Sequence, residues 1–348
     1  MSTSIIRFSP SEFFLLEKLS EYRFSCQSEK KIVLDTSQVD YQKKKKERRN
    51  VTSKKQKNYH KEMAEDDENK ESGGLGLDSS FKIDFYIHTY SKKRGRQDEK
   101  REVFLENIEG HVEPGTVCAV IGPRDSGKDR LLQLLSGRTN KHVCLGEVHV
   151  NGTRLAAPQM RAMTAYLRNA GSSLIGQTTV EESVDFTARL VLPSNVDDAS
   201  RKTKVERVLE EVQLTNVKHC RIDGGVKNEP ISAEDRVRVG LAQVLVENKK
   251  MIFLDELTEG LDLLSAERVV RDIISLAEVK LLTVFVTLEH PTKLLLEKFQ
   301  KCLFLSKGHQ LYFGRVRNSV DFFTRLGYPI PEETSIYDHI LGLTVPDA

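Results

Sequence analysis

Long hydrophobic runs are missing from this chain of 348 residues. No apolar stretch approaches the roughly 18 residues that a membrane-spanning helix needs. Residues 1–14 show neither the long apolar core nor the small-residue cleavage site of a secretory signal. The five cysteines lie far apart and form no C-x-x-C pair, which argues against a zinc or redox motif. We therefore expect a cytoplasmic protein with reduced cysteines.

A large charge imbalance is also missing, since 53 Lys and Arg residues against 51 Asp and Glu residues leave a formal net charge of +2. We expect no specific nucleic-acid partner. Charge is nevertheless clustered, with a basic block at 43–61 and an acidic stretch at 64–71. The pattern predicts an N-terminal segment at 1–79, with a short helix first and a disordered charged linker after it. The basic block fits a nuclear-import or anionic-surface patch, or a solvated linker.

From about residue 80, short β-type runs alternate with helical ones, and one of them leads into a glycine-bearing loop. Residues 117–121 form an apolar run suited to a buried strand, and a leucine-rich helical segment follows the loop. Strand, glycine loop, lysine and helix is the order that a phosphate-binding loop requires, because its amides and the helix N-terminus must face an anion. A chance turn before a helix is the alternative. The loop residues are Gly122, Pro123, Arg124, Asp125, Ser126, Gly127, Lys128 and Asp129.

A second element of this chemistry is the apolar run 251–254, which ends in two carboxylates. Asp255 suits a magnesium ligand, and Glu256 suits the general base that orients an attacking water. An acidic strand end is common by itself. The order of the two elements, loop first and acidic strand later, is specific.

With these elements, the chain resembles the nucleotide-binding domain of an ABC transporter, most closely of the G subfamily (White or pleiotropic-drug-resistance type). Two segments stand in place of family motifs: residues 231–238 in place of the signature and residues 287–291 in place of a T-I-H-Q-P switch. Residues 254–262, at and after the acidic strand end, and residues 322–328, which look like the segment leading toward the membrane domain, give further support. The resemblance implies an α/β P-loop NTPase fold, an ABC-type ATPase domain at about 80–330. It would have a mixed-sheet core, a helical lobe at about 170–235 and a C-terminal tail at 331–348.

The resemblance also implies ATP and Mg²⁺ as cofactors, with Lys128 on the phosphates. Tyr86 would stack on adenine, although a core tyrosine of an edge strand is the alternative. Such domains work in pairs, so the expected partner is a second ABC nucleotide-binding domain, most simply that of a G-type half-transporter carrying the membrane domain. Through it the protein would be peripheral at the cytosolic face of a membrane. A homodimer is not expected, because it would pair two altered signatures with two altered loops.

Five positions depart from the family pattern, and three of them lie in the loop and the signature. Asp129 replaces a hydroxyl that ligates Mg²⁺. Its carboxylate is a candidate ligand, but it would repel a phosphate charge at 4 Å by roughly 4 kcal/mol without a bridging cation. Ser232 of the signature remains, while Ala233 and Glu234 replace glycines. Glu234 would occupy or repel the γ-phosphate position of the opposite site, or else belongs to an ordinary capped helix.

Two sensor positions are altered as well. Asn169 stands where a longer glutamine is expected, and Glu289 stands at the switch histidine, where it cannot donate to a γ-phosphate. His290 would replace it only if the loop shifted register. We thus carry two hypotheses: an ABC-type ATPase subunit lacking its membrane domain, with weak hydrolysis coupled to transport, and a catalytically inactive nucleotide-binding regulator or scaffold. A truncated half-transporter is a third.

Overall fold

The computed structural model describes residues 80–93, 101–139, 142–169, 174–225, 229–331 and 335–344. The expected short helix and charged linker within residues 1–79 lie outside these ranges. Among the described residues, no helix has both the length and the apolar composition that crossing a bilayer requires. The four cysteines of the described part, Cys118, Cys144, Cys220 and Cys302, are free thiols.

The described residues form a mixed α/β fold with ten strands in one sheet. The strands are β1 Ile83–Lys93, β2 Arg101–Val112, β3 Val117–Ile121, β4 His142–Val150, β5 Thr153–Arg154, β6 Thr164–Arg168, β7 Met251–Asp255, β8 Thr283–Leu288, β9 Lys301–Ser306 and β10 His309–Arg315. The helices are α1 Lys128–Leu135, α2 Ala157–Met163, α3 Val180–Val191, α4 Asp198–Glu211, α5 Ala233–Val246, α6 Leu263–Lys280, α7 Lys293–Leu296, α8 Val316–Arg325 and α9 Ile336–Thr344. The segment expected as a tail from residue 331 therefore includes a helix, whose Ile336, Tyr337 and Ile340 are buried.

The strand order is β5-β4-β1-β2-β10-β9-β3-β8-β7-β6. Strands β9, β3, β8, β7 and β6 run parallel to one another, whereas β9 pairs antiparallel with β10, and β1 pairs antiparallel with β2 and β4. Every residue of β3, β7 and β8 is buried. This matches their continuous apolar sequences, because a parallel sheet is covered on both faces.

Parallel pairing brings the carboxyl ends of four strands to one edge of the sheet. Ile121 at the end of β3 pairs with Leu288 at the end of β8, and Arg168 at the end of β6 pairs with Asp255 at the end of β7. The segments that follow these strands therefore emerge side by side. Ligands bind at such an edge in open α/β sheets.

Aromatic packing joins the two strands that lead to this edge. Phe253 of β7 and Phe285 of β8 are paired in register, fully buried and stacked, with ring centroids 5.2 Å apart and an interplanar angle of 7°. The ring of Phe85 of β1 meets Phe285 edge to face at 6.2 Å. The parallel core and the antiparallel strands thus share one apolar cluster.

The helical lobe contains α3, α4 and the start of α5, where the sequence predicts helices. Thr179 and Glu182 form a capping box at the start of α3, with the Thr179 N–H donating to Glu182 Oε2 at 2.8 Å. Arg201 of α4 donates to Asp185 of α3 at 2.9 Å, and Gln243 of α5 donates to Ser183 of α3 at 3.0 Å. Polar contacts therefore tie the three helices together.

We expect Phe285→Ala to lower the free energy of unfolding by about 3–5 kcal/mol, because it removes a fully buried ring from a stacked pair and leaves a cavity. The matched control is Phe186→Ala, since Phe186 on α3 is 52% exposed and should cost less than about 1 kcal/mol. Urea unfolding followed by circular dichroism measures both. Equal losses for the two variants would contradict the assignment of the core.

Candidate functional site

The loop after β3 depends on two glycines at close approaches. A Cβ on Gly122 would lie 2.2 Å from the carbonyl oxygen of Leu305, so no other residue fits without displacing β9. Gly127 has φ +92°, a left-handed conformation that favours glycine, and it immediately precedes α1. Between them, Arg124–Ser126 form one 3₁₀ turn. The sequence Gly122–Gly127 thus forms a tight concave loop that ends at a helix N-terminus.

Lys128 folds back over this loop. Its ammonium Nζ donates to the carbonyl oxygens of Gly122 at 2.6 Å and Pro123 at 2.8 Å. Burial lowers the pKa of Lys128, and the nearby carboxylates, Glu289 first and then Glu256, oppose that shift. The Lys128 ammonium therefore stabilises the folded conformation of the loop.

Asp255 is the buried carboxylate of the site, with 3% of its surface exposed. Tyr166 Oη on β6 donates to its Oδ2 at 2.8 Å, and Thr287 Oγ1 on β8 donates to its Oδ1 at 2.8 Å. Arg168 Nε lies 3.9 Å from Oδ2. A buried carboxylate needs such donors, because desolvation without them would be costly.

Glu256 follows directly and adopts a left-handed backbone conformation with φ +54°. Its N–H donates to Thr287 Oγ1 at 2.7 Å, so one hydroxyl positions both acidic residues. The pKa of Glu256 is raised, first by burial and then by the charges of Asp255, Glu259 and Glu289. A carboxylate with a raised pKa at the rim of a cleft is suited to accept a proton from water.

These groups line a cleft of about 540 Å³ between the loop, the first residues of β2 and the carboxyl ends of β6 and β7. Asp129 lies on it with an intermediate exposure and its Oδ2 is 3.6 Å from Arg130 Nε. The Arg130 guanidinium in turn lies 4.8 Å from the centroid of the Phe104 ring. The residues that line the cleft are Glu102, Val103, Phe104, Arg124, Asp125, Gly127, Lys128, Asp129, Arg130, Arg168, Asp255, Glu256 and Lys307.

The donor set fits a phosphate chain with a magnesium ion. Backbone amides, Lys128 and a helix N-terminus suit an anion. Within the described residues, no cluster of three or more acidic, histidine or cysteine side chains could hold a metal alone. Mg²⁺ in such a site is bound through one or two carboxylates together with substrate phosphates. Asp255 and Asp129 both line the cleft that would supply them.

At the switch position, Glu289 approaches the loop. Its Oε1 lies 3.4 Å from Arg124 Nε. The His290 ring is directed at the buried Tyr337, whose hydroxyl lies 3.1 Å from Nδ1, and its Nε2 lies 3.9 Å from Glu289 Oε1. The structure therefore places Glu289, and not His290, beside the loop, and no register shift occurs.

Outside the loop, four predicted site residues of the described part of the chain do not line the cleft, namely Glu289 and the three that follow. Asn169 follows β6 with φ +47°, and its N–H donates to the carbonyl of Asp255 at 3.0 Å. Tyr86 is 43% exposed, and its hydroxyl lies 3.3 Å from His88 Nε2. Ser232 lies at the start of α5.

Tyr86 is not the core tyrosine of an edge strand. Ile83, Phe85 and Ile87 alternate into the core, so Tyr86 faces outward. Its strand β1 lies between β2 and β4. Stacking of Tyr86 on adenine stays a prediction, and Val103 and Phe104 of β2 are apolar residues that line the cleft.

The start of α5 is an ordinary capped helix. Ser232 Oγ accepts the N–H of Asp235 at 3.0 Å. The Glu234 carboxylate pairs with Arg238 at 2.9 Å and with Arg268 at 2.7 Å, and its effect on the opposite site of a domain pair stays a prediction. The two arginines hold this acid against α6.

Sequence reasoning missed the two hydroxyls that hold Asp255. Tyr166 and Thr287 lie on the strands beside β7, each next to the acidic strand end. Both residues lie in the sequence motifs that contain Asn169 and Glu289. Their hydrogen bonds to Asp255 could not be predicted from the sequence, because these bonds depend on the register of the strands. Phe104 and Arg130 carried no recognisable signal.

Comparison with known proteins identifies the family of this fold and site. The family profile described as "ABC transporter" matches residues 105–259. The chain is 30% identical over 276 residues to ABC transporter G family member 22 of Dictyostelium discoideum, covering 78% of this chain and 44% of that protein. It is 33% identical over 253 residues to the human ATP-binding cassette sub-family G member 5, covering 72% and 38%. The chain thus spans less than half the length of these relatives.

Solved structures support the fold at lower identity. The ATP-binding cassette MJ0796, in a dimeric post-hydrolysis state bound to ADP and Pi, superposes with a TM-score of 0.55 at 19% identity, over 68% of this chain and 99% of that one. The cbiO1 protein of Clostridium perfringens, part of the ABC transporter complex cbiONQ, superposes with a TM-score of 0.59 at 16% identity, over 72% and 94%. The expected ABC-type ATPase fold is confirmed. The chain belongs to the ABC transporter family, and its described residues form an ATP-binding domain of the G-subfamily type.

Proposed function

We propose that this protein binds Mg-ATP in the cleft beside Lys128 as part of a G-type ABC transporter, and that its ATP hydrolysis is impaired. The observation that carries the proposal is the convergence of Lys128, Asp255 and Glu256 on one cleft at the edge of the parallel sheet. The roles of all other residues in the proposal depend on that convergence.

In this proposal, Lys128 exchanges its two loop carbonyls for phosphate oxygens, and the loop from Gly122 to Gly127 supports the phosphates through its backbone amides. Asp255, held by Tyr166 and Thr287, would hold Mg²⁺, with Asp129 as a second ligand. Mg²⁺ would neutralise phosphate charge. Glu256 would accept the proton of an attacking water.

Weak hydrolysis follows from the charges around the terminal phosphate. Glu289 presents a carboxylate where a donor would stabilise developing negative charge. Asp129 replaces a neutral hydroxyl. Both changes lower the stabilisation of the transition state, whereas the retained Glu256 leaves a base in place.

The proposed partner is a second ABC nucleotide-binding domain, of a G-type half-transporter. In an ATP sandwich, the start of α5 covers the partner's nucleotide. Here that start carries Glu234 and Asp235, with Glu234 fixed by Arg238 and Arg268. Two copies of this chain would each offer the other an acidic cover, so we propose a heteromeric pair.

We expect Lys128→Ala to weaken binding of a fluorescent ATP analogue at least about tenfold, because it removes the charge that faces the phosphates. Lys293→Ala is the control, since Lys293 is an exposed lysine on α7, outside the cleft. Fluorescence titration with Mg²⁺ measures both variants. Indistinguishable curves for the native chain and Lys128→Ala would remove the phosphate-loop proposal.

The native chain alone should release phosphate from ATP very slowly, and Asp129→Ser combined with Glu289→His should raise the rate about tenfold or more by restoring a neutral ligand and a donor. Adding Glu256→Gln to that double variant should return the rate to background. Phosphate release measured on purified protein decides this. Robust hydrolysis by the native chain, lost on Glu256→Gln, would refute impairment.

Sedimentation velocity tests the proposed pairing. With Mg-ATP, the purified chain alone should sediment as in the absence of nucleotide, because two acidic helix starts disfavour a shared site. Glu256→Gln, which blocks turnover, is measured in parallel so that hydrolysis does not hide a dimer. A tight homodimer that forms only with Mg-ATP would contradict the heteromeric proposal.

A further inference from the structure

Glu289 is an acidic group beside the cleft that the proposed binding of ATP does not use. Strand β8 ends at Leu288, which pairs with Ile121, so Glu289 emerges next to the first loop residues. Its side chain is 28% exposed and its Oε1 lies 3.4 Å from Arg124 Nε. A partly buried carboxylate thus lies beside the phosphate loop and pairs with a loop arginine whose side chain is 79% exposed.

The order of the strands places different kinds of residue on the two sides of the cleft. Phe104 and Val103 belong to β2, on one side of β3 and its loop, whereas Glu256 and Glu289 follow β7 and β8 on the other side. An aromatic and apolar surface suits a nucleobase, and the carboxylate that activates water must lie beside the terminal phosphate. A nucleotide bound along the loop therefore points its last phosphate toward Glu256 and Glu289.

The side-chain charges of the cleft, counted without Mg²⁺, do not favour an additional phosphate. Its lining contains five cationic side chains, Arg124, Lys128, Arg130, Arg168 and Lys307, and five acidic ones, Glu102, Asp125, Asp129, Asp255 and Glu256. Glu289, paired with Arg124, adds one more negative charge at the terminal end. In the proposed function, phosphate binding thus depends on the positions of Lys128 and the loop amides, because the cleft has no excess of positive charge.

Glu289 affects the pKa values of two groups, Lys128 and Glu256, and both effects support its position at the terminal-phosphate end of the cleft. Among the charged groups, Glu289 acts most strongly on Lys128, raising its pKa against the effect of burial. It also raises the pKa of Glu256. The charge of Glu289 therefore acts on both Lys128, the proposed phosphate ligand, and Glu256, the proposed general base.

We propose that Glu289 makes this site selective for nucleoside diphosphates over triphosphates. This inference rests on the proposed nucleotide binding in the same cleft and concerns which nucleotide occupies it. A diphosphate can contact Lys128 and the loop amides while Glu289 stays paired with Arg124. A triphosphate brings a further negative group toward the carboxylate and separates that pair.

Displacement of a fluorescent ADP analogue from the purified full-length chain tests the selectivity, with ADP and ATP as competitors at equal Mg²⁺. In the native chain, ADP should compete at a concentration at least about tenfold lower than ATP. Glu289→Gln keeps the size of the side chain and removes its charge, so the ratio should fall to about threefold or less, mainly through tighter ATP binding. The control is Glu297→Gln, an equal charge change at an exposed position after α7, which should keep the native ratio.

The outcomes separate the inference from the proposed function. Equal competition by ADP and ATP in the native chain would overturn the selectivity and leave nucleotide binding intact. An ADP preference that persists in Glu289→Gln would overturn the role of Glu289. If the analogue does not bind, or binds equally to Lys128→Ala, the proposed function fails and the selectivity with it. Thermal melting of both Gln variants checks that they are folded.

Discussion

The burial of the Asp255 carboxylate is the constraint on which the site depends. A charged group with 3% exposure at the end of a strand requires donors on both oxygens, and the hydroxyls of Tyr166 and Thr287 provide them. Each donor comes from a strand that pairs directly with β7. The acidic strand end is therefore stable only inside three parallel strands that hold their register.

Register in turn depends on the apolar core. Phe253 lies two residues before Asp255, and Phe285 lies two residues before Thr287, so each ring shares a strand face with the polar group that follows it. The two rings stack in register, and this aligns the hydroxyl of Thr287 with Asp255. Because the same hydroxyl also accepts the N–H of Glu256, packing of two phenylalanines fixes both acidic groups. A one-residue slip of β8 would turn Thr287 to the opposite face and leave a buried charge without its donor.

Local patterns allowed most of the fold to be predicted from the sequence. The buried strands, the glycine loop and the helices of the lobe each have a signal within a few adjacent residues, and their order predicts the ABC-type fold. Contacts between residues distant in sequence have no such signal. The pairing of Glu234 with Arg268 and of Glu289 with Arg124 follows from how α5 packs near α6 and β8 near β3. Tyr86 illustrates the same limit, because its direction is set by which face of β1 covers the core.

The contacts of Lys128 show that a residue of the phosphate loop can have a structural role as well as a role in ligand binding. Its ammonium donates to two carbonyls of its own loop, so this lysine stabilises the concave backbone before any ligand arrives. Asp255, with its two hydroxyl donors, likewise completes hydrogen bonds that the folded sheet needs. These residues therefore have a structural reason to be present even where turnover is slow. In the proposed function, the rate of hydrolysis depends on the groups around the terminal phosphate, where Glu289 and Asp129 would stand in place of neutral or donating side chains. In that proposal, the altered positions would affect catalysis without removing a contact on which the fold depends.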